Sequence, residues 1–166
     1  KLKYKWFSFQ KKTIYINLFL KLLMKEIIKI IRDKKTALGV GPMSKNCVIA
    51  ATKLCNKYRF PLMLIASRRQ IDSHIHGGGY VNNWHTEEYS NFVKSIDKAN
   101  KVILCRDHGG PWQNNLEIEN NYNLTNAMES AKKSYEIDII NDFKIIHIDS
   151  SLQLNNKKIP LSKSLD

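Results

Sequence analysis

Four short apolar segments, separated by stretches with helical spacing, dominate the pattern from residue 36 onward. Each apolar segment is bounded by glycine, proline, polar or charged residues, which is typical of short strands. The predicted strands are 36–40, 61–66, 101–106 and 144–149. Helices are predicted between them, because apolar residues recur there at spacings of three and four.

Capping residues indicate where these helices begin. Ser44 is predicted to cap the first helix and Thr86 the second. The third helix is predicted over 126–143, with Glu129 completing a capping box. The order β-α-β-α-β-α-β therefore predicts an α/β fold with a parallel sheet and right-handed crossovers.

Two architectures share this order, a doubly wound sheet and a (β/α) TIM barrel. A dinucleotide-binding sheet needs a particular glycine-rich turn after the first strand, and Gly39, Gly41 and Pro42 do not fit that turn. We therefore predict a TIM-barrel type fold. A full barrel takes eight strands and about 250 residues, so the chain is predicted to supply only the N-terminal half, assigned to residues 24–166.

Residues 1–23 form a basic leader, which we interpret as a non-native or disordered extension before Met24. Residues 1–35 carry 11 Lys or Arg against two acidic residues, whereas residues 36–166 carry 16 against 13. Most of the net charge of +12 thus lies before the first predicted strand, which argues against nucleic-acid binding by the strand-and-helix region. The leader's uncharged run is too short to span a membrane. A basic amphipathic membrane helix is the alternative interpretation.

The composition is that of an ordinary globular protein. With 43% hydrophobic and 25% charged residues, the chain is neither collagen-like nor a low-complexity linker. Its three cysteines are an odd number without a pairing motif, which argues against a disulfide-stapled secreted domain and favours the cytoplasm. They lie within helix or strand patterns and are interpreted as core residues.

Asp107 and His108, which follow the third predicted strand, are the strongest candidates for chemistry. An imidazole at a strand's carboxyl end can bind a metal, and an adjacent carboxylate can hold or donate a proton. The alternative is that Asp107 caps a loop and His108 lies on the surface. In the fourth strand, alternation places His147 and Asp149 on one side. They join the site if that side faces the barrel lumen; otherwise His147 is a core histidine.

Two further pairs have open interpretations. Arg68 and Arg69 follow the second predicted strand, where they could bind a phosphate or carboxylate or form a solvated charged pair. His74 and His76 form an H-x-H pattern, which a strand would present on one face as metal ligands. Because glycines surround them, we interpret these histidines as an incidental surface pair.

Motifs at the ends of three predicted strands occur together in an order that is characteristic of one family. The motif residues are Ser67, Gln70, Gly78, Gly79, Tyr80, Asp107, His108, Gly110, Pro111, His147, Asp149 and Ser151, followed by Ile159, Pro160 and Leu161. In these motifs the chain, from about Met24 to its C-terminus, resembles the non-catalytic subunits of class II tagatose-bisphosphate aldolases.

The resemblance implies roles for the site residues. In the catalytic relatives, an Asp-His pair at this position supplies a proton-transfer carboxylate and one zinc ligand. Asp107 would then be the acid and His108 the zinc ligand, and zinc would polarise a ketose-phosphate carbonyl. The positions that we assign to substrate binding are Ser67, Arg68, Gln70, Arg106, His147 and Asp149.

The resemblance also implies partners. The remaining zinc ligands would lie beyond Asp166, so we expect no independent turnover by this chain. The expected partners are a catalytic class II aldolase subunit or further copies of the chain, and a sugar phosphate.

Two departures from the family pattern concern the substrate. The family usually has Ser-Asn-Gln where this chain has residues 67–70, and two glycines where it has Cys105 and Arg106. The additional arginines indicate a different anionic sugar. The competing hypothesis is a non-enzymatic binding or structural domain in which Asp107 and His108 are vestigial.

Overall fold

The computed structural model describes Lys25 and residues 28–30, 32–34 and 36–152. The predicted leader, 1–23, and the motif at 159–161 lie outside these residues, so the division at residue 24 stays a prediction. The chain divides into two compact units, Lys1–Leu38 and Gly39–Asp166. In the first unit, the described residues 28–30 are helical.

Four parallel strands lie in sequential order, and this confirms the predicted α/β class. The strands are β1 (Leu38–Val40), β2 (Leu62–Ser67), β3 (Val102–Gly109) and β4 (Phe143–Ile148). The pairing of β2 with β3 ends with Ser67 opposite Asp107. The pairing of β3 with β4 contains two register shifts, the second between Arg106 and Gly109. This second irregularity contains the predicted Asp-His pair.

Helices connect the strands at the predicted places. They are α1 (Lys45–Tyr58), α2 (Thr86–Ile96), α3 (Asn115–Glu119) and α4 (Leu124–Ile140), with a single 3-10 turn at His74–His76. Ser44 caps α1 as predicted: its Oγ accepts a hydrogen bond of 3.1 Å from the Cys47 N–H. The short α3 lies in a stretch that the sequence predicted as loop, because its five residues are too few to show a helical period.

Two predicted helix starts are wrong by one to three residues. The N-cap of α2 is His85, not Thr86, and the Glu88 carboxylate accepts a hydrogen bond of 2.9 Å from the His85 N–H. The N-cap of α4 is Asn123, whose side chain accepts from the Asn126 N–H at 2.9 Å. Glu129 therefore lies inside α4 and forms no capping box. Asparagine caps as well as any residue, so the Asn-rich approach to this helix offered several possible starts.

The hydrophobic core packs α1 and α2 against one face of the sheet. Alternation along β2 buries Leu62, Leu64 and Ala66, while the intervening side chains are partly exposed. The core residues are Val48, Cys55, Leu62, Leu64, Ala66, Ile71, Val81, Trp84, Tyr89, Val93, Leu104 and Phe143. Cys55 and Cys105 are free and buried, as predicted for core cysteines, and Cys47 is half-buried.

Within the described part of the chain, no helix combines the length and the apolar character that crossing a bilayer requires.

Candidate metal and sugar-phosphate site

The end of β3 presents Asp107 and His108 to solvent. Their side chains are 38% and 56% exposed. The strand pairing is irregular here, and His108 has a positive φ of 42°, which few non-glycine residues adopt. An irregularity of this kind redirects side chains at the end of a strand. The backbone thus turns His108 toward β4 instead of continuing the pleat.

Asp149, just beyond β4, fixes the orientation of His108. Its Oδ2 lies 2.6 Å from His108 Nδ1 and accepts a second hydrogen bond from the Gln113 side chain at 2.8 Å. The Ser151 N–H donates to its other oxygen at 2.9 Å. Burial by itself would raise the pKa of Asp149, but the hydrogen bonds from Ser151 and His108 lower it to about 2. The carboxylate therefore stays ionised beside the imidazole.

The pKa of His108 shifts in the opposite direction. The hydrogen bond to Asp149 raises it above its ordinary value, and the negative charge of Asp107 adds to the effect. Partial desolvation and the positive charge of Arg69 oppose the rise. Since Asp149 holds Nδ1, the other ring nitrogen, Nε2, is left for a ligand or a proton.

His147 completes the cluster from the end of β4. Its Nδ1 lies 3.3 Å from Asp107 Oδ1, while His108 Nε2 lies 3.6 Å from Asp107 Oδ2. The two imidazole centroids are 5.8 Å apart. Asp107, His108 and His147 each offer one ligand atom, and these atoms all lie within 4.8 Å of one another. The carboxylate thus lies between two imidazoles.

This donor set fits zinc. Catalytic zinc sites combine three nitrogen or oxygen ligands with one open position, and the exposure of the cluster leaves room for the fourth ligand. The contact between His108 and Asp149 is also the type of outer hydrogen bond that orients metal-bound histidines.

Ser67 and Gln70 lie at the neighbouring end of β2. Ser67 is opposite Asp107 in the sheet register. Its N–H donates to the Gln70 side-chain oxygen at 2.9 Å, and the Gln70 N–H donates to Ser67 Oγ at 3.3 Å. The two residues therefore close a tight turn at the edge of the sheet that also bears the cluster. Whether they bind substrate stays a prediction.

Arg68 and Arg106 lie away from this edge, in the interior. Both side chains are 0% exposed. Arg68 pairs with Asp72 at 2.9 Å and with Glu117 at 2.7 Å. Arg106 pairs with Asp138 through two hydrogen bonds of 2.6 and 2.7 Å. The structure does not bring these arginines to the cluster, whereas Arg69 is exposed.

The H-x-H histidines are not a pair. His74 is exposed, whereas His76 is buried, with its Nδ1 2.8 Å from Ser73 Oγ. The 3-10 turn explains the separation, because it does not present residues i and i+2 on one face as a strand would.

Sequence reasoning missed Gln113 and the acidic partners of the arginines. Gln113 lies in a polar loop without a periodic pattern, and its contact with Asp149 joins residues 36 apart in the chain. A fully buried arginine requires a buried acid. The acidic partners could have been predicted from the sequence only if the burial of Arg68 or Arg106 had been known.

Comparison with known proteins gives a fold but no family. No family model matches the chain, and no curated protein matches it. The chain is similar to a solved structure described as a probable tagatose 6 phosphate kinase from Sinorhizobium meliloti 1021. The two sequences are 18% identical, and the two structures superpose with a TM-score of 0.58. The match covers 78% of this chain and 33% of the solved chain. This likeness supports the α/β fold, and the chain spans about a third of the solved protein's length.

Proposed function

We propose that this chain acts in carbohydrate metabolism as an accessory subunit, or a homologue of one, of a class II ketose-bisphosphate aldolase. The observation that carries the proposal is the cluster at the ends of β3 and β4, where Asp149 orients His108 beside Asp107 and His147. In parallel α/β folds, chemistry gathers at the carboxyl ends of the strands. The substrate class is a sugar phosphate such as tagatose bisphosphate.

In this proposal His108 holds zinc through Nε2, and Asp149 keeps the ring in place. Bound zinc would polarise the carbonyl of a ketose phosphate. Asp107 stands where the catalytic relatives have their proton-transfer carboxylate. Ser67 and Gln70 shape the adjoining edge, and Arg69 adds an exposed positive charge that suits an anionic sugar.

Two further lines support the sugar-phosphate class. The motifs at the strand ends resemble those of tagatose-bisphosphate aldolase subunits, and the solved structure with a similar fold is described as a probable tagatose 6 phosphate kinase. Both point to phosphorylated ketoses, although the reactions differ. A cytoplasmic location and a zinc cofactor belong to the same proposal.

The alternative is a non-enzymatic binding or structural domain with a vestigial Asp-His pair. One contact in the protein interior favours this alternative. Arg106 stands where the family usually has glycine, and its side chain bonds to Asp138 and to backbone carbonyl groups. In that case the strand-end cluster would have no effect on a partner enzyme.

The test is the cleavage of D-tagatose 1,6-bisphosphate by the catalytic subunit of a class II aldolase, with and without this chain. We expect the chain alone to show no turnover, and the mixture to cleave faster or to stay active longer on warming. Equal rates and equal inactivation half-lives with and without the chain would contradict the proposal and favour the alternative. His108→Ala should abolish this effect, whereas the control His74→Ala, which removes an exposed histidine outside the cluster, should retain it.

A further inference from the structure

We propose that Asp107, His108 and His147 together hold one zinc-type divalent cation within this chain. The inference rests on the zinc ligand of the proposed function and goes beyond it in two respects. It adds His147 as a ligand, and it makes Asp107 a ligand instead of a free proton-transfer group. The site would then be complete on β3 and β4.

The distances support this ligand set. Bonds of about 2.0–2.1 Å from zinc to nitrogen and oxygen place neighbouring ligands of a tetrahedron about 3.3–3.4 Å apart. Asp107 Oδ1 lies 3.3 Å from His147 Nδ1, and Asp107 Oδ2 lies 3.6 Å from His108 Nε2. All three ligand atoms fall within 4.8 Å of one another. Closing the set around one cation therefore requires side-chain rotations that bring the more distant of these atoms nearer to one another.

The backbone holds the donors in place before any metal binds. Asp107 and His108 lie in β3, which pairs with β4, so His147 is positioned by the same sheet. The Asp149 N–H donates to the Gly109 carbonyl oxygen at 2.5 Å. Gly110 packs so closely on Asp149 that an added Cβ would collide with its carbonyl oxygen. The carboxylate that orients His108 is thus anchored to the backbone of β3.

The charge and the exposure of the cluster also suit a divalent cation. Asp107 and Asp149 bring two negative charges to a site whose histidines are ligands when neutral, so a divalent cation balances them. The side chains of both histidines are 56% exposed. This exposure leaves a path for the ion and a position for water or for a ligand oxygen.

A role of Asp107 as a metal ligand would explain why this chain would not catalyse aldol cleavage by itself. A carboxylate bound to a divalent cation is a weaker base than a free one, so it is less suited to moving a proton as the catalytic relatives do. With Asp107 in the ligand set, the chain holds and positions a cation, while the catalytic partner supplies the proton-transfer group.

The test is a metal titration that needs no aldolase. The chain is stripped with a chelator and titrated with Co²⁺, whose visible absorption reports coordination, and zinc affinity is measured by competition. We expect one ion per chain. His108→Ala, His147→Ala and Asp107→Asn should each weaken binding more than about 100-fold, and Asp149→Asn about 10–100-fold, as loss of an outer hydrogen bond does.

Two controls guard against other ligands. His74→Ala removes an exposed histidine outside the cluster, and Cys47→Ser removes a half-buried thiol; both should bind as the parent chain does. Circular dichroism establishes that each variant is folded, and His147→Gln repeats the histidine test with a larger side chain.

Absence of stoichiometric binding would overturn the inference, as would unchanged affinity in His147→Ala or Asp107→Asn. A chain that binds metal as predicted but leaves the partner aldolase unaffected would refute the proposed function alone. A chain that supports the aldolase but loses no affinity in His147→Ala would refute the ligand set alone.

Discussion

Asp138→Asn tests whether the buried Arg106 is structural. Arg106 is fully buried and donates from Nε and Nη2 to the Asp138 carboxylate, at 2.7 and 2.6 Å. Its Nη1 donates to the carbonyl oxygens of Ala66 and Ile71, at 3.1 and 2.6 Å. The substitution keeps the size of the side chain and removes the charge that compensates Arg106, so it leaves a buried cation without its partner.

The expected loss follows from that contact. Breaking a buried ion pair by removing one partner costs about 3–5 kcal/mol. We expect about 3 kcal/mol, since the asparagine oxygen still accepts one hydrogen bond and since the nearby charge of Asp72 also favours the charged form of Arg106. With a urea dependence of about 2 kcal/mol per M, the unfolding midpoint should fall by about 1.5 M.

Urea unfolding followed by circular dichroism measures this shift. The matched control is Asp142→Asn, whose carboxylate is 45% exposed and pairs with Lys94 and with Lys144. Each of these partly exposed ion pairs should contribute no more than about 1 kcal/mol. Equal shifts for the two variants would refute the reasoning.

Two further predictions concern the same fold. Burial alone would raise the pKa of Asp72, but the hydrogen bond from His76 and the charges of Arg68 and Arg106 lower it below its ordinary value. Its contribution to stability is therefore complete above the unfolded pKa of about 3.9 and is lost as pH falls toward the folded value. The difference in urea midpoint between the parent chain and Asp72→Asn should shrink from pH 6 to pH 3, and a constant difference would contradict it. Gly110→Ala should lower the free energy of unfolding by about 1–3 kcal/mol, because φ is 154° and the new methyl group would meet the Asp149 carbonyl oxygen. Gly41→Ala should change it little, since no atom lies nearer than 3.7 Å to the added Cβ. Similar melting temperatures for these two variants would refute the close approach of Gly110 to Asp149.

The fold was largely predictable because its elements have strong local signals. Each β strand is a short apolar segment ended by polar residues, and Ser44 is a clear helix cap. Helix boundaries were less predictable at α4, where Asn123 and Asn126 offer equivalent caps and only packing selects between them. The burial of Arg68 and Arg106 could not be predicted either, since a position at a strand end does not reveal whether a side chain turns inward.

The Asp-His pair and its two neighbours from the end of β4 could be proposed from the sequence, whereas the contacts among them and the contact of Gln113 with Asp149 could not. Alternation along the last strand predicts His147 and Asp149 on one side, and each contacts a different residue of the Asp107–His108 pair. That division depends on the register shift between β3 and β4 and on the positive φ of His108. Neither feature has a clear signal in the sequence, because even histidine, which is enriched at positive φ, adopts it at few positions.

The central claim is that the ends of β3 and β4 form one working site, and nitrogen-15 NMR of the histidine rings tests it most directly. On addition of one equivalent of zinc, the account predicts that the ring nitrogens of His108 and His147 shift together, while those of exposed His74 stay unchanged. His108 should keep the signature of a protonated Nδ1 that donates to Asp149. A spectrum in which neither His108 nor His147 responds, or in which His108 responds alone, would contradict the account.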